Sequence, residues 1–353
     1  MILYIAVALW PLLIGSVYRN YPISFNGKSL GKKFHIILAM LPVFLMIALR
    51  HSMIGPDTNG YLTNFEYAVH SSLKTMMANS RMEDGYLAFV KFIATYVTQD
   101  PNVYQVIYTA IYAVCVFIFM LDLEDHWPEF LFFFTTLGLF TFMFTGVRQC
   151  LAMCICLVAY RYARRKNILL FALFVALAYQ MHHSAILFAV VYFAARMKVK
   201  WYNILIYIAG AIWAINNLDL LNEWFEETLE YDVELESGTG LIFLIFFAVL
   251  TVMAVFLLYS AKQINKNTAP LLTLGFFCLF FWILRLQTRV AERPSYYFMF
   301  FSCGGFAYAV NCVENTQQRT IVKWVCLGLC LALYVYRFLT NFSVYVPYST
   351  FFS

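Results

Sequence analysis

Charge is the scarcest thing in this chain. Acidic and basic residues together make up 12% of its 353 residues, about half the roughly 25% carried by an ordinary soluble domain. That shortage excludes a water-soluble enzyme. Long polar stretches are missing too, so nothing remains from which to build an aqueous catalytic domain or a nucleic-acid-binding surface. The net charge of +5 therefore has to be read loop by loop rather than as a basic patch. Gly-rich nucleotide loops are absent. The first apolar run, Met1 to Val17, has neither a basic leader nor a small-residue cleavage site, and reads as a retained helix rather than a removed signal peptide. The nine cysteines lack Cys, His or carboxylate neighbours at metal-ligand spacing. All of them, including Cys150 and Cys154 on one helix face, read as small packing residues.

What the chain has in excess is apolar surface, 63% of its residues. A helix needs about 20 apolar residues to cross about 30 Å of hydrocarbon. Uninterrupted apolar runs predict spans over Met1 to Val17, Phe34 to Leu49, Asn102 to Leu121, Phe130 to Thr145, Gly146 to Tyr160, Asn167 to Met181 and Ser184 to Ala195. Further runs cover Trp201 to Asn217, Leu241 to Ala261, Pro270 to Leu284, Pro294 to Val313 and Ile321 to Thr340. The prediction is a single all-α transmembrane domain over residues 1–353, with about twelve spans (10–12). Arg161, Arg164, Arg165 and Lys166 precede the uncharged stretch 167–195, and Arg196, Lys198 and Lys200 follow it, so basic-residue bias makes that stretch a hairpin with His182 and His183 at its outer turn. Extended to Arg19, Lys28, Lys32, Lys33, Lys262, Lys266, Arg319 and Lys323, the rule puts fifteen of the 24 basic residues inside. Both termini then fall outside, with two longer periplasmic loops at 51–101 and 218–240. The first contains an amphipathic stretch, Tyr86 to Thr98, and the second an acidic run from Asp219 to Glu236. There is no internal repeat.

The polar residues that look out of place in such a chain share the outer face. Arg50 and His51 end the second span, ahead of the turn Gly55-Pro56-Asp57-Thr58. Arg148 and Gln149 follow Gly146, and His182 and His183 cap the next outer turn. Arg285, Arg289 and Arg293 stand at the outer end of the tenth span. Ionisable residues at membrane depth are costly and mark functional sites. Spaced by four, the three arginines would step about 40° and about 6 Å each along one helix, a cationic stripe whose forked guanidiniums suit a diphosphate. The competing reading is a snorkelling anchor. Arg148-Gln149 reads equally as a polar tight turn. His182 and Asp57 compete as general base, a turn pair and an Asx-turn being the bland alternatives. The histidines do not read as a metal site.

The set Arg50, Gly55-x-Asp57-Thr58-x-x-Tyr61, then Thr145-Gly146-x-Arg148-Gln149 with Ala152, then His182-x-Ser184-Ala185 resembles the EpsG-type family of polysaccharide-biosynthesis membrane proteins, itself similar to Wzy-type O-antigen and capsule polymerases. The motifs lie in about the first half of the chain, and where the pattern expects Gly-Thr-Asp this sequence has Gly55-Pro56-Asp57. The resemblance implies a polytopic, GT-C-like glycosyltransferase of the bacterial inner membrane that joins repeat units carried on undecaprenyl pyrophosphate at the periplasmic face, with no metal or other cofactor. For such a reaction the residues are assigned as follows: Arg148, Gln149, Arg285, Arg289 and Arg293 to the pyrophosphate, His182 or Asp57 to the base, and Arg50 to orienting the loop 55–61. The expected partners are the lipid-linked glycan and the bilayer, and a chain-length-regulating membrane protein is left open. The alternatives are a lipid-linked oligosaccharide flippase, an O-antigen ligase and a sugar acyltransferase.

Overall fold

A computed structural model describes residues 1–21, 30–197, 199, 209–210, 212–229, 240–340 and 342–352. The protein is all-α: among the described residues the only β pairing is an isolated antiparallel bridge between Arg50 and Thr350. Among the described residues, five helices are long and apolar enough to cross a membrane: Ile2–Asn20, Gly31–Ala48, Pro101–Leu121, Leu241–Ser260 and Thr316–Thr340. At 1.5 Å per residue they measure about 27 to 38 Å. Their outward faces are also apolar. Phe34, Ile37, Leu41 and Leu45 form one exposed stripe, and Ile242, Ile245, Val249, Val252 and Phe256 another. Stripes of that length are costly in water and cost nothing against lipid, so this is a membrane protein.

In chain order the helices are α1 (Ile2–Asn20), α2 (Leu30–Ala48), α3 (Thr58–His70), α4 (Leu73–Asn79), α5 (Asp84–Tyr96), α6 (Pro101–Leu121), α7 (Trp127–Thr136), α8 (Leu139–Phe142), α9 (Val147–Arg164) and α10 (Ile168–Met181). They continue with α11 (Val191–Ala194), α12 (Leu218–Leu229), α13 (Leu241–Ser260), α14 (Thr268–Leu284), α15 (Glu292–Ala309), α16 (Thr316–Thr340) and α17 (Phe342–Tyr345). Tighter 3₁₀ turns cover His183–Val190 and Arg289–Ala291. The expected span Phe130 to Thr145 is not one helix. Gly138, at φ +113°, breaks it into pieces of 10 and 4 residues, about 15 and 6 Å long. The expected span Trp201 to Asn217 lies largely outside the described residues, as do Lys28, Lys198, Lys200, the acids Glu230 to Glu236 and Ser353.

Two compact units divide the chain. The first comprises Met1–Val158, Ala176–His182 and Gly328–Ser353. Here α1 packs on α2 and α7, and α2 on α6. A β-carbon on Gly15 would lie 2.4 Å from Pro128, so α1 and α7 approach backbone to side chain. Every residue of α7 is buried. Between α2 and α6, the segment 51–101 folds into three short helices rather than an open loop. α5 realises the expected amphipathic stretch, burying Tyr86, Leu87, Val90, Ile93 and Ala94, and α3 packs against it. Lys91 Nζ donates to the Ala68 carbonyl at 2.8 Å, placing a cation where the last turn of α3 leaves carbonyls unpaired. Asp100 caps α6 by accepting from the Asn102 amide at 2.7 Å, with Pro101 at the first helical position.

The second unit comprises Ala159–Val175 and His183–Leu327. Its centre is the hairpin of α14 and α15, in which Gly275 faces Ser302 and Cys278 faces Met299. From Pro294 to Ala309 every residue of α15 is buried, as expected of a helix apolar on all sides and enclosed by protein. All cysteines but Cys312 are buried.

Candidate functional site

The site is built in the first unit, from the end of α2. A guanidinium closing an apolar span must satisfy its N–H groups without bulk water, and Arg50, fully buried, does so on four partners. It donates from Nε to Thr58 Oγ1 at 3.3 Å, from Nη2 to the Tyr108 hydroxyl at 3.0 Å and to the Phe144 carbonyl at 3.1 Å, and from Nη1 to the Ile47 carbonyl. Gln105, on α6, donates to the carbonyl of Arg50 itself at 2.8 Å. Thr58 Oγ1 also lies 2.8 Å from the Phe144 carbonyl, so Arg50 and Thr58 bind one backbone oxygen together. Gly55 is at φ +88°, and a β-carbon there would lie 2.8 Å from that oxygen, so the turn needs glycine. The C-terminal tail closes this corner: the amides of His51 and Gly55 donate to the carbonyls of Ser349 and Val344, at 3.0 and 3.2 Å. Arg50 thus contacts the segment 55–61 through the Thr58 hydroxyl. Asp57 is exposed at the N-terminus of α3, makes no cap hydrogen bond, and its carboxylate has no partner among the described residues.

Arg148 and His182 are brought together by a residue that the sequence reading did not nominate. Glu83 precedes α5 and is 5% exposed. One of its oxygens accepts from Arg148 Nη1 at 2.5 Å. The other lies 2.5 Å from His182 Nδ1, itself buried at the end of α10. Tyr61, from the motif on α3, hydrogen-bonds Arg148 as well. Burial alone would push the Glu83 carboxyl up, but the hydrogen bond and charge of His182 and the charge of Arg148 outweigh it and hold the group down at about 2. An ionised carboxylate can only accept, so Nδ1 carries the proton that faces it. A neutral His182 then has its lone pair on Nε2, the atom a general base needs.

A chain of phenols runs from this carboxylate back to Arg50. Tyr61 packs edge-on against Tyr86, the hydroxyls of Tyr86 and Tyr104 are 2.8 Å apart, and Tyr104 packs edge-on against Tyr108. Gln149 is buried beside Arg148 at the start of α9. Glu83 escaped the sequence reading because acids commonly open helices, where the macrodipole favours them. Its one local signal is Gly85, whose missing side chain admits Gln180. Gln105 and Tyr108 carried no signal, lying within an ordinary apolar span.

The structure corrects the arginine stripe. α14 ends at Leu284, Thr288 is extended, and a new helix begins at Glu292. The three arginines thus stand on a helix end, a 3₁₀ turn and the start of the next helix, and they do not share one face. Arg285 is buried and donates from Nε to Glu292 Oε2 at 2.9 Å, while the Tyr296 hydroxyl donates to the other oxygen at 2.8 Å. Arg289 and Arg293 are exposed. In the same unit, Ser184 of the His-x-Ser-Ala motif is fully buried, its hydroxyl 3.0 Å from that of Tyr297.

Comparison with curated proteins and with solved structures finds no match. A family profile described as the EpsG family matches residues 33–350. That match starts inside α2, takes in Arg50, Glu83, Arg148 and His182, and ends at the residue bridged to Arg50, so the chain belongs to the EpsG family, a family of the Wzy-type polymerase kind.

Proposed function

We propose that the protein is a membrane glycosyltransferase that joins oligosaccharide repeat units carried on undecaprenyl pyrophosphate at the outer face of the bacterial inner membrane. The observation that carries this reading is the single buried carboxylate of Glu83 holding both Arg148 and His182. A base and a cation on one rigid acid are what the reaction asks for. Nε2 of His182 takes the proton from the acceptor hydroxyl. The resulting oxygen attacks the anomeric carbon of the donor, and the glycosidic bond electrons leave on the pyrophosphate. Arg148, already oriented by Glu83 and Tyr61, faces developing negative charge without reorganisation. Arg50 acts at one remove, by fixing the turn that carries Thr58 and Tyr61. Asp57, exposed and without a partner among the described residues, is the weaker base. The arginines of the second unit keep the pyrophosphate role assigned from the sequence, a separate expectation with its own test.

With this function goes the finer topology: about twelve crossings in a GT-C-like arrangement, both termini periplasmic, and residues 51–101 and 218–240 outside. The deciding experiment is the glycan banding pattern of a deletion strain complemented with wild type or with His182→Ala. A ladder restored by wild type and reduced to one-repeat product by the variant supports a polymerase. Naked core in the deletion strain would instead mean a ligase or a flippase.

A further inference from the structure

We propose that Glu83 is a positioning residue that sets the tautomer of His182 and holds Arg148 beside it, one carboxylate oxygen serving each. The inference rests on the reading of His182 as the base. Both oxygens are committed at 2.5 Å, and a carboxylate as buried as Glu83 is costly unless it is paired. The fold accepts that cost at one point, where the turn before α5 meets the end of α10. A β-carbon on Gly85 would lie 2.5 Å from the β-carbon of Gln180, so the two backbones touch two residues after Glu83 and two residues before His182. The approach is built into the chain.

The chemistry follows from what each atom can do. With its proton on Nδ1 and directed at Glu83, neutral His182 has its acceptor on Nε2, and the nearby negative charge stabilises the imidazolium formed when Nε2 takes a proton. Without that charge the ring could adopt the other tautomer, and its basicity would fall. Among the described residues, the charged group against the ring is Glu83 from the turn before α5; beyond its carboxylate stands Arg148 from α9, to which Tyr61 of α3 is hydrogen-bonded, and His183 is the next residue in the chain. Arg148 opposes the effect of Glu83 but lies beyond the carboxylate, so the nearer acid dominates.

The test measures polymerisation of a synthetic lipid-pyrophosphate-linked oligosaccharide by purified full-length protein in proteoliposomes, across pH. Glu83→Gln keeps the shape and loses the charge, and should lower kcat by about 10²-fold or more. Its acid limb should move to lower pH, because the imidazole loses the charge that raised its affinity for protons. Adding Glu83→Gln to His182→Ala should cost less than Glu83→Gln costs the wild type, because the share that acts through His182 is already lost and only the share through Arg148 remains. A Glu83→Gln enzyme with an unmoved acid limb, its loss matched by lower thermal stability, makes the carboxylate structural only. A fully active His182→Ala overturns the base assignment and this proposal with it, whereas an inactive His182→Ala with an unmoved Glu83→Gln profile overturns this proposal alone. Histidine ¹⁵N spectra of the wild type, with His182→Ala for assignment, test the tautomer without any dependence on how a Glu83 variant folds. Protonation of His182 at Nε2 rather than Nδ1 in the neutral ring would refute it.

Discussion

Gly85 and Gln180 stand so close that a β-carbon on the first would lie 2.7 Å from the carbonyl oxygen of the second. Neither that oxygen nor the neighbouring Cβ can swing aside, since both are fixed to the backbone of α10. This contact brings the turn before α5 against the end of α10, and hence Glu83 to His182.

Gly85→Ala should therefore separate the acid from the base. Overpacking of this kind costs about 1–3 kcal/mol, so the thermal midpoint should fall and the polymer ladder should shorten or vanish. A normal ladder at a normal midpoint would show that the contact does not position Glu83.

His182→Ala should abolish polymer formation, whereas His183→Ala should be tolerated better, because His182 Nδ1 lies 2.5 Å from Glu83 and His182, not His183, opens the His-x-Ser-Ala motif. The readout is ladder length normalised to protein in the membrane. Full-length polymer from both variants would make His182 structural and move the base role to Asp57.

Arg289 is exposed on its 3₁₀ turn, where a guanidinium can meet a ligand. Arg289→Ala should lower the rate by about 10² to 10³-fold, the usual cost of one well-placed donor. Arg289→Lys should fall between, since it keeps charge but loses the fork. An interfacial anchor would accept lysine fully, and unaltered ladders from both variants would end the pyrophosphate role.

Stability should depend on pH through Glu83. Its carboxyl is held down at about 2 in the folded protein against an ordinary 4.5, so the ionised form favours folding. That contribution is complete above the ordinary value and is lost as pH falls toward the folded one. Wild type should melt above Glu83→Gln at neutral pH, and the gap should close on acidification. A gap independent of pH would contradict the assignment.

Topology can be read with reporters fused after Ile54 and Asn222. Both should be active as alkaline phosphatase and dark as GFP if residues 51–101 and 218–240 face the periplasm. Fluorescence after Asn222 would invert the map over the second half of the chain.

The membrane class and most helix positions were legible in the residues alone, because lipid imposes a compositional rule: apolar runs of sufficient length and backbone hydrogen bonds closed within each helix. So were Arg50, Arg148 and His182, which stand out against apolar surroundings because charge there is costly. The hinge at Gly138 was less legible, since a single glycine inside an apolar run does not announce a positive φ. The arginine stripe misled because spacing by four implies one face only while a helix continues, and α14 stops at Leu284. What only the tertiary structure decided is pairing. Glu83 sits 65 residues from Arg148 and 99 from His182, and a carboxylate opening an amphipathic helix looks the same in sequence whether it faces water or a buried imidazole. Local pattern reports the cost of burying a charge, but the partner that offsets it is chosen by packing, here through the contact between Gly85 and Gln180.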